Sequence, residues 1–410
     1  MADLEELYRA CRAHLRERLL PFWSRLRDEE NGGYYGLVTD DLVVHRDAEK
    51  GCILNSRILW FFSECYRALG DEAALEEARH AYRFLTDAFL DKGPGGVYWS
   101  VTADGRPLDD SKHCYCQAFA IYALASFAQA ENGSDATAAR KLAEDLYRLI
   151  ETKMRDAGGY GEAFTRDLRP ASNEKLSENG VEAARTMNTA LHVLEAYTEL
   201  YMANGDPEVK QSLMGLLDLF LDRIYLRDEH RLGVFFDKDY HSLIDLYSYG
   251  HDIEAAWLID RALDAVGDYV REPAAREMTA TLTEAVYRSA YREEGTYASL
   301  LTECERGVDL EARVWWIQAE AVNGFLNGMQ AATARGDPSA AGRYAEAADK
   351  IWKYICDRVI DPRPEGEWFW FAADGGHDHD KPVVDPWKCP YHNGRMCMEV
   401  MRRLHGDGKE

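Results

Sequence analysis

A glycine followed by aromatic residues recurs along this 410-residue chain: Gly33-Tyr34-Tyr35, Gly96-Val97-Tyr98-Trp99, Gly159-Tyr160, Gly233-Val234-Phe235-Phe236, Gly295-Thr296-Tyr297 and Gly366-Glu367-Trp368-Phe369. Successive glycines are 63, 63, 74, 62 and 71 residues apart. A repeat of this length, six times over, implies units that bury their apolar faces only against one another. Between pulses lie two stretches with apolar residues at helical spacing. They are Cys52 to Leu69 with Asp71 to Leu90, Lys112 to Gln129 with Asp135 to Thr152, Glu182 to Ala203 with Pro207 to Tyr225, Ile253 to Val266 with Glu272 to Arg292, and Glu311 to Thr333 with Ala340 to Val359. Each pair reads as a helical hairpin.

Lone helices remain at the two ends, Leu4 to Leu19 and Arg395 to Leu404, and they can pair to close a circle. The predicted fold is therefore all-α, an (α/α)6 barrel of twelve helices in which residues 1–410 form a single catalytic domain. The absence of polar capping repeats favours this toroid over an open solenoid. Within a pair the first helix is more apolar, as in Ile58-Leu59-Trp60-Phe61-Phe62, and belongs inside. The second carries charge, as in Glu76-Glu77-Ala78-Arg79-His80, and belongs outside. The Gly-aromatic pulses then become turns or hairpins at one rim, with most of their aromatics anchoring the core.

Composition narrows the partners. Lys and Arg total 48 against 72 Asp and Glu, a net charge of -24 that repels phosphate backbones and anionic lipid, so neither nucleic acid nor membrane is expected. The first residues alternate acid and base without an apolar signal core, and no later stretch reaches about 18 uninterrupted apolar residues, which points to a cytoplasmic protein. Nine cysteines without a C-x-x-C pair read as free thiols, Cys114 and Cys116 included, rather than as a disulfide framework or a zinc site. A closed toroid of this size can stand alone, so a monomer is expected.

Polar residues that core packing does not explain fall once per unit near the start of the inner helices: Arg57; His113 and Tyr115; Asn188 and His192; His251 and Glu254; Arg313, Trp315, Trp316 and Glu320; Trp387 and His392. In a closed ring these ends share one mouth, so the side chains converge on one pocket. His251 and Glu254 stand at i and i+3, where the carboxylate can hold a ring nitrogen. Asn188 and His192 lie one turn apart. His392, in a turn-rich lead into the last helix, can face His251, and two facing imidazoles suit removal of a carbon-bound proton from one face and its return to the other. Glu254 and Glu320 equally supply the carboxylate pair of a glycoside hydrolase. Trp315, Trp316 and Trp387 suit stacking on sugar rings, although adjacent Trp315 and Trp316 cannot share one helix face, so one of them at most should line the pocket. The run His377-Asp378-His379-Asp380 resembles a metal site only in composition, and no metal is expected. No phosphate loop or dinucleotide fingerprint is present.

Several motifs in fixed order resemble the cellobiose 2-epimerases of the N-acylglucosamine 2-epimerase superfamily. They are Pro21-Phe22-Trp23, Glu30-Asn31-Gly32-Gly33-Tyr34-Tyr35-Gly36, Ser56-Arg57-Ile58-Leu59-Trp60, Leu176-Ser177-Glu178-Asn179-Gly180, Thr186-Met187-Asn188, Ser248-Tyr249-Gly250-His251-Asp252-Ile253-Glu254-Ala255, Arg313-Val314-Trp315-Trp316-Ile317-Gln318-Ala319-Glu320-Ala321 and the block from Trp387 to Glu399. The resemblance implies an (α/α)6 barrel and a cofactor-independent isomerase that reversibly inverts C2 of the reducing-end unit of β-1,4-linked disaccharides such as cellobiose, mannobiose, glucosyl-mannose and lactose. It implies His251 and His392 as the acid/base pair with Glu254 supporting His251, and His192 assisting ring opening. Arg57, Tyr115 and Asn188 are implied to bind sugar oxygens, with Trp315 or Trp316, and Trp387, as stacking platforms. Cys116 departs from the pattern, where the family more often has Asn. Rival readings are a mannose 2-epimerase or aldose-ketose isomerase using the same enediolate, and an (α/α)6 glycoside hydrolase.

Overall fold

In the computed structural model, which describes residues 2–176, 179–372 and 381–406, twelve helices form two concentric rings. The inner helices are α2 (Cys52–Leu69), α4 (Cys114–Ala130), α6 (Met187–Asn204), α8 (Tyr249–Val266), α10 (Trp315–Ala334) and α12 (His392–His405). Each packs on the next, and α12 returns to α2. The outer helices are α1 (Leu4–His14), α3 (Glu72–Phe84), α5 (Gly133–Leu149), α7 (Pro207–Leu219), α9 (Glu272–Ala290) and α11 (Pro338–Tyr354). The expected closure is present: α1 packs against α12, so the two ends of the chain make the sixth pair. The structure is thus the (α/α)6 barrel.

Local chemistry fixes the hairpins. Inner helices α2, α6 and α8 stop at Gly70, Gly205 and Gly267, whose φ of 67°, 64° and 74° lies in the left-handed region where a side chain would be strained. Asp71, Asp206 and Asp337 then cap α3, α7 and α11 by accepting backbone N–H groups of the first turn. Four outer helices continue into one π-helical turn, Leu85–Phe89, Ile150–Met154, Phe220–Ile224 and Ile355–Val359, and α1 does the same at Leu15–Leu19 before running on through Leu20–Ser24. In all five the first and last residues are buried and apolar, a spacing of four that a wider turn keeps on one face. The expectation that α1 ends near Leu19 is therefore too short. Likewise α12 begins at His392 rather than Arg395, and α8 at Tyr249 rather than Ile253.

Each Gly-aromatic pulse is the returning side of a rim hairpin, as in Arg27 opposite Tyr34, Leu90 opposite Val97, Asp156 opposite Gly159 and Ile360 opposite Trp368. A cation two residues before an inner helix locks several hairpins down. Lys50 Nζ donates to Asp28 at 2.7 Å and Lys112 Nζ to Asp91 at 3.0 Å, both pairs fully buried. Arg185 takes the same place before α6. Amides add a second clamp: Gln117 bonds both backbone groups of Val97, and Gln318 those of Leu300, at 2.7–3.0 Å. The core is one continuous apolar cluster between the rings, with a small separate patch of Ala183, Val234, Phe235 and Leu246 at the rim. All nine cysteines are free thiols. Among the described residues no helix is long and apolar enough to cross a membrane.

Candidate active site

Because every inner helix starts at the rim, its first-turn side chains face the mouth of the barrel. The cavity there is lined by Arg57 from α2, Tyr115 from α4, Asn188 and His192 from α6, His251 and Glu254 from α8, Trp315 and Trp316 from α10, and Trp387 and His392 around the start of α12. Three expected members lie elsewhere. His113 sits behind the wall, its ring 4.5 Å from Trp99, which in turn meets Trp387. Burial holds His113 down at about 4, so it is a neutral packing residue. Arg313 is another cation two residues before an inner helix, donating to Ser299 Oγ at 3.0 Å. Glu320 is fully buried beneath the cavity and faces His392. His377 to Asp380 lies outside the described residues.

The supports of the histidines differ from the sequence expectation. His251 Nδ1 lies 2.7 Å from Ser248 Oγ, not on Glu254. Glu254 instead accepts from the Arg395 guanidinium, which α12 brings to the barrel axis and which outcompetes a neutral ring for the carboxylate. His392 Nδ1 lies 2.7 Å from Glu320 Oε1, and His192 Nδ1 lies 2.9 Å from Glu195 Oε2. Two imidazoles thus rest on carboxylates and one on a hydroxyl. Both His251 and His392 lean on the indole of Trp316, with ring centroids 4.9 and 5.2 Å away. Trp315 also reaches the cavity wall, against expectation, but it is 2% exposed, packed against Trp368 and under the Lys388 ammonium. Trp316 is the more exposed of the two. Gly250 makes this possible, since a Cβ there would lie 2.6 Å from Ile317 and 2.7 Å from Trp316.

Electrostatics follow from burial. His251 is pulled down to about 3 and His392 well below the usual imidazole range, chiefly by desolvation, so both rings are neutral at neutral pH. Arg57 keeps its charge: burial opposes it, but Tyr115, Cys389 and Tyr391 outweigh that. Its guanidinium lies between the Phe119 and Tyr391 rings, at 4.1 and 4.4 Å, and donates to Tyr115 Oη at 3.1 Å. Glu254 is pushed up to about 8 by burial and by Glu320 beside it. Asn188 Oδ1 is buried with no protein partner, an acceptor left for a ligand. Glu254, Glu320 and His392 present ligand atoms within 4.8 Å of one another, a spacing a cation could use. Arg395 Nη2 already donates to both carboxylates there and supplies the positive charge.

Sequence reasoning missed Ser248, Glu195, Tyr391 and Arg395, along with Lys175, Asn179, Glu303 and Trp370 at the mouth. Glu195 stands at i+3 from His192, the same spacing that singled out Glu254, so that signal was there to be read. Ser248 is brought in by a rim sheet in which Leu246–Ser248 pairs antiparallel with Glu303–Glu305, Ser248 opposite Glu303.

The family model for N-acylglucosamine 2-epimerase (GlcNAc 2-epimerase) matches residues 32–394. The chain belongs to this family. A cellobiose 2-epimerase of Eubacterium cellulosolvens is 46% identical over 404 residues, spanning 95% of this chain and 96% of its own. One from Ruminococcus albus is 44% identical over 393 residues, 96% of this chain and 97% of its own. The structure of the cellobiose 2-epimerase from Bacillus thermoamylovorans B4167 superposes with a TM-score of 0.90 at 43% identity, over 98% of this chain and 100% of that one. Within the N-acylglucosamine 2-epimerase family the chain stands among the cellobiose 2-epimerases, and it is a carbohydrate epimerase, an enzyme of the isomerase class.

Proposed function

We propose that the chain reversibly inverts C2 of the reducing-end unit of β-1,4-linked disaccharides, interconverting cellobiose and glucosyl-mannose, with its own side chains moving every proton. One observation carries the reading: two neutral imidazoles, each anchored through Nδ1, meet over one cavity against a shared indole, beside a guanidinium. Anchoring Nδ1 leaves Nε2 for the substrate.

His192, backed by Glu195, assists ring opening: the C1–O5 bond breaks, O5 takes a proton, and O1 gives one up as the aldehyde forms. Glu320 accepts from His392 Nδ1–H and so turns a lone pair on His392 Nε2 toward the sugar. That nitrogen takes the C2 hydrogen as a proton, the electron pair moves to C1–C2, and O1 becomes the enediolate oxygen, whose charge Arg57 offsets. His251 Nε2–H returns a proton to C2 on the opposite face; solvent then restores a proton to His251 and takes the one His392 gained, so that both rings end neutral. A hydroxyl partner suits His251, since Ser248 can donate or accept and so serve either tautomer as the reaction reverses. Asn188 and Tyr115 hold sugar hydroxyls, while Trp316 and Trp387 offer ring faces. We further propose a single catalytic domain acting as a cytoplasmic monomer, a setting that free thiols fit.

Incubation with cellobiose, mannobiose and mannose in heavy water, followed by NMR, tests this. Deuterium at C2 with glucosyl-mannose as the product of cellobiose is the expected outcome. Ketose formation or free glucose in its place would replace the reading with an isomerase or a hydrolase.

A further inference from the structure

Beneath the cavity one guanidinium is shared by three carboxylates. Arg395 lies one helical turn after Tyr391 and His392 on α12, is 1% exposed, and is held between the Tyr391 and Trp257 rings with centroids 4.0 and 4.8 Å away. Its Nη1 donates to Glu195 Oε1 at 2.5 Å, and its Nη2 to Glu320 Oε1 at 2.7 Å and to Glu254. Glu195 is the carboxylate behind His192, and the Glu320 oxygen that takes Arg395 is the same atom that takes His392 Nδ1. We infer that Arg395 is the positioning residue that couples ring opening to proton transfer at C2, because its two terminal nitrogens fix the carboxylates that orient His192 and His392.

The inference rests on the epimerase reading above. Geometry supports a coupling rather than a passive brace: a shift of the one guanidinium moves Glu195 and Glu320 together, and with them the imidazoles of His192 and His392.

Two rates read the two histidines separately: anomerisation of freshly dissolved cellobiose, followed by NMR, reports ring opening, and deuterium uptake at C2 reports proton transfer. Glu195→Gln is expected to slow anomerisation at least tenfold more than exchange, and Glu320→Gln to do the reverse. Arg395→Met should lower both rates at least about a hundredfold, and Arg395→Lys, which keeps the charge but not the two-pronged geometry, both by at least about tenfold. Thermal melts establish that each variant is folded at the assay temperature, and Arg395→Lys carries the test if Arg395→Met does not fold. A folded Arg395 variant that loses one rate while the other stays within threefold of the unsubstituted chain overturns the coupling, as does one that keeps both. Absence of C2 exchange in the unsubstituted chain overturns the epimerase reading itself.

Discussion

At the scale of single residues, the acid/base imidazoles are set by what burial does to charge. With His251 drawn down to about 3, its ring stays neutral far into acid. The kcat/KM for C2 exchange should therefore hold level from neutral pH to about pH 5, where an ordinary imidazole would already be mostly protonated. The alkaline side runs the other way. Glu254, held up at about 8, loses its proton as pH rises through that value and places a second charge beside Glu320 and the forming enediolate, so the rate should fall. A pH profile of Glu254→Gln should lack that fall. Ser248→Ala, which strips His251 Nδ1 of its partner, is expected to lower kcat by roughly tenfold or more with little change in KM. Position at the start of the inner helices identified the helix-borne polar side chains of the cavity wall, and i, i+3 and i+4 arithmetic placed two pairs of them on one face. That arithmetic could not tell that Glu254 faces Arg395 rather than His251, because competition between elements remote in sequence is settled only by packing.

Among elements, the helical hairpins were legible because apolar periodicity, glycine stops and aspartate caps all agree. The π turns were not, since a wider turn of five residues leaves no composition signature beyond two apolar residues four apart. The rim hairpins depend on buried clamps, and Gln318 is one: Gln318→Ala would strand the N–H and C=O of Leu300 in the core. A loss of about 1–3 kcal/mol in stability, read from urea unfolding, is expected. Close approach of α8 and α10 depends on Gly324, where an added Cβ would lie 2.3 Å from the Ile253 side chain. Gly324→Ala should cost about 1–3 kcal/mol through overpacking.

For the whole molecule, stability comes from ring closure and apolar burial, without covalent staples. With nine free thiols, dithiothreitol should leave Tm and activity unchanged, and a fall in Tm would reveal a bond among them. Closure was legible because two unpaired helices were left over at opposite ends of the sequence. In space they meet: Tyr8 stacks on His405 at 3.8 Å, and Glu5 lies 2.9 Å from the His405 ring nitrogen. That junction stands where the other five inner helices turn back into outer ones, at the end of the barrel remote from the cavity. The break in the ring between α12 and α1 is therefore an arbitrary point on a wheel. A rearranged gene whose product joins α12 to α1 through a short linker, and opens instead at the turn after Gly205, should circle back to the same enzyme.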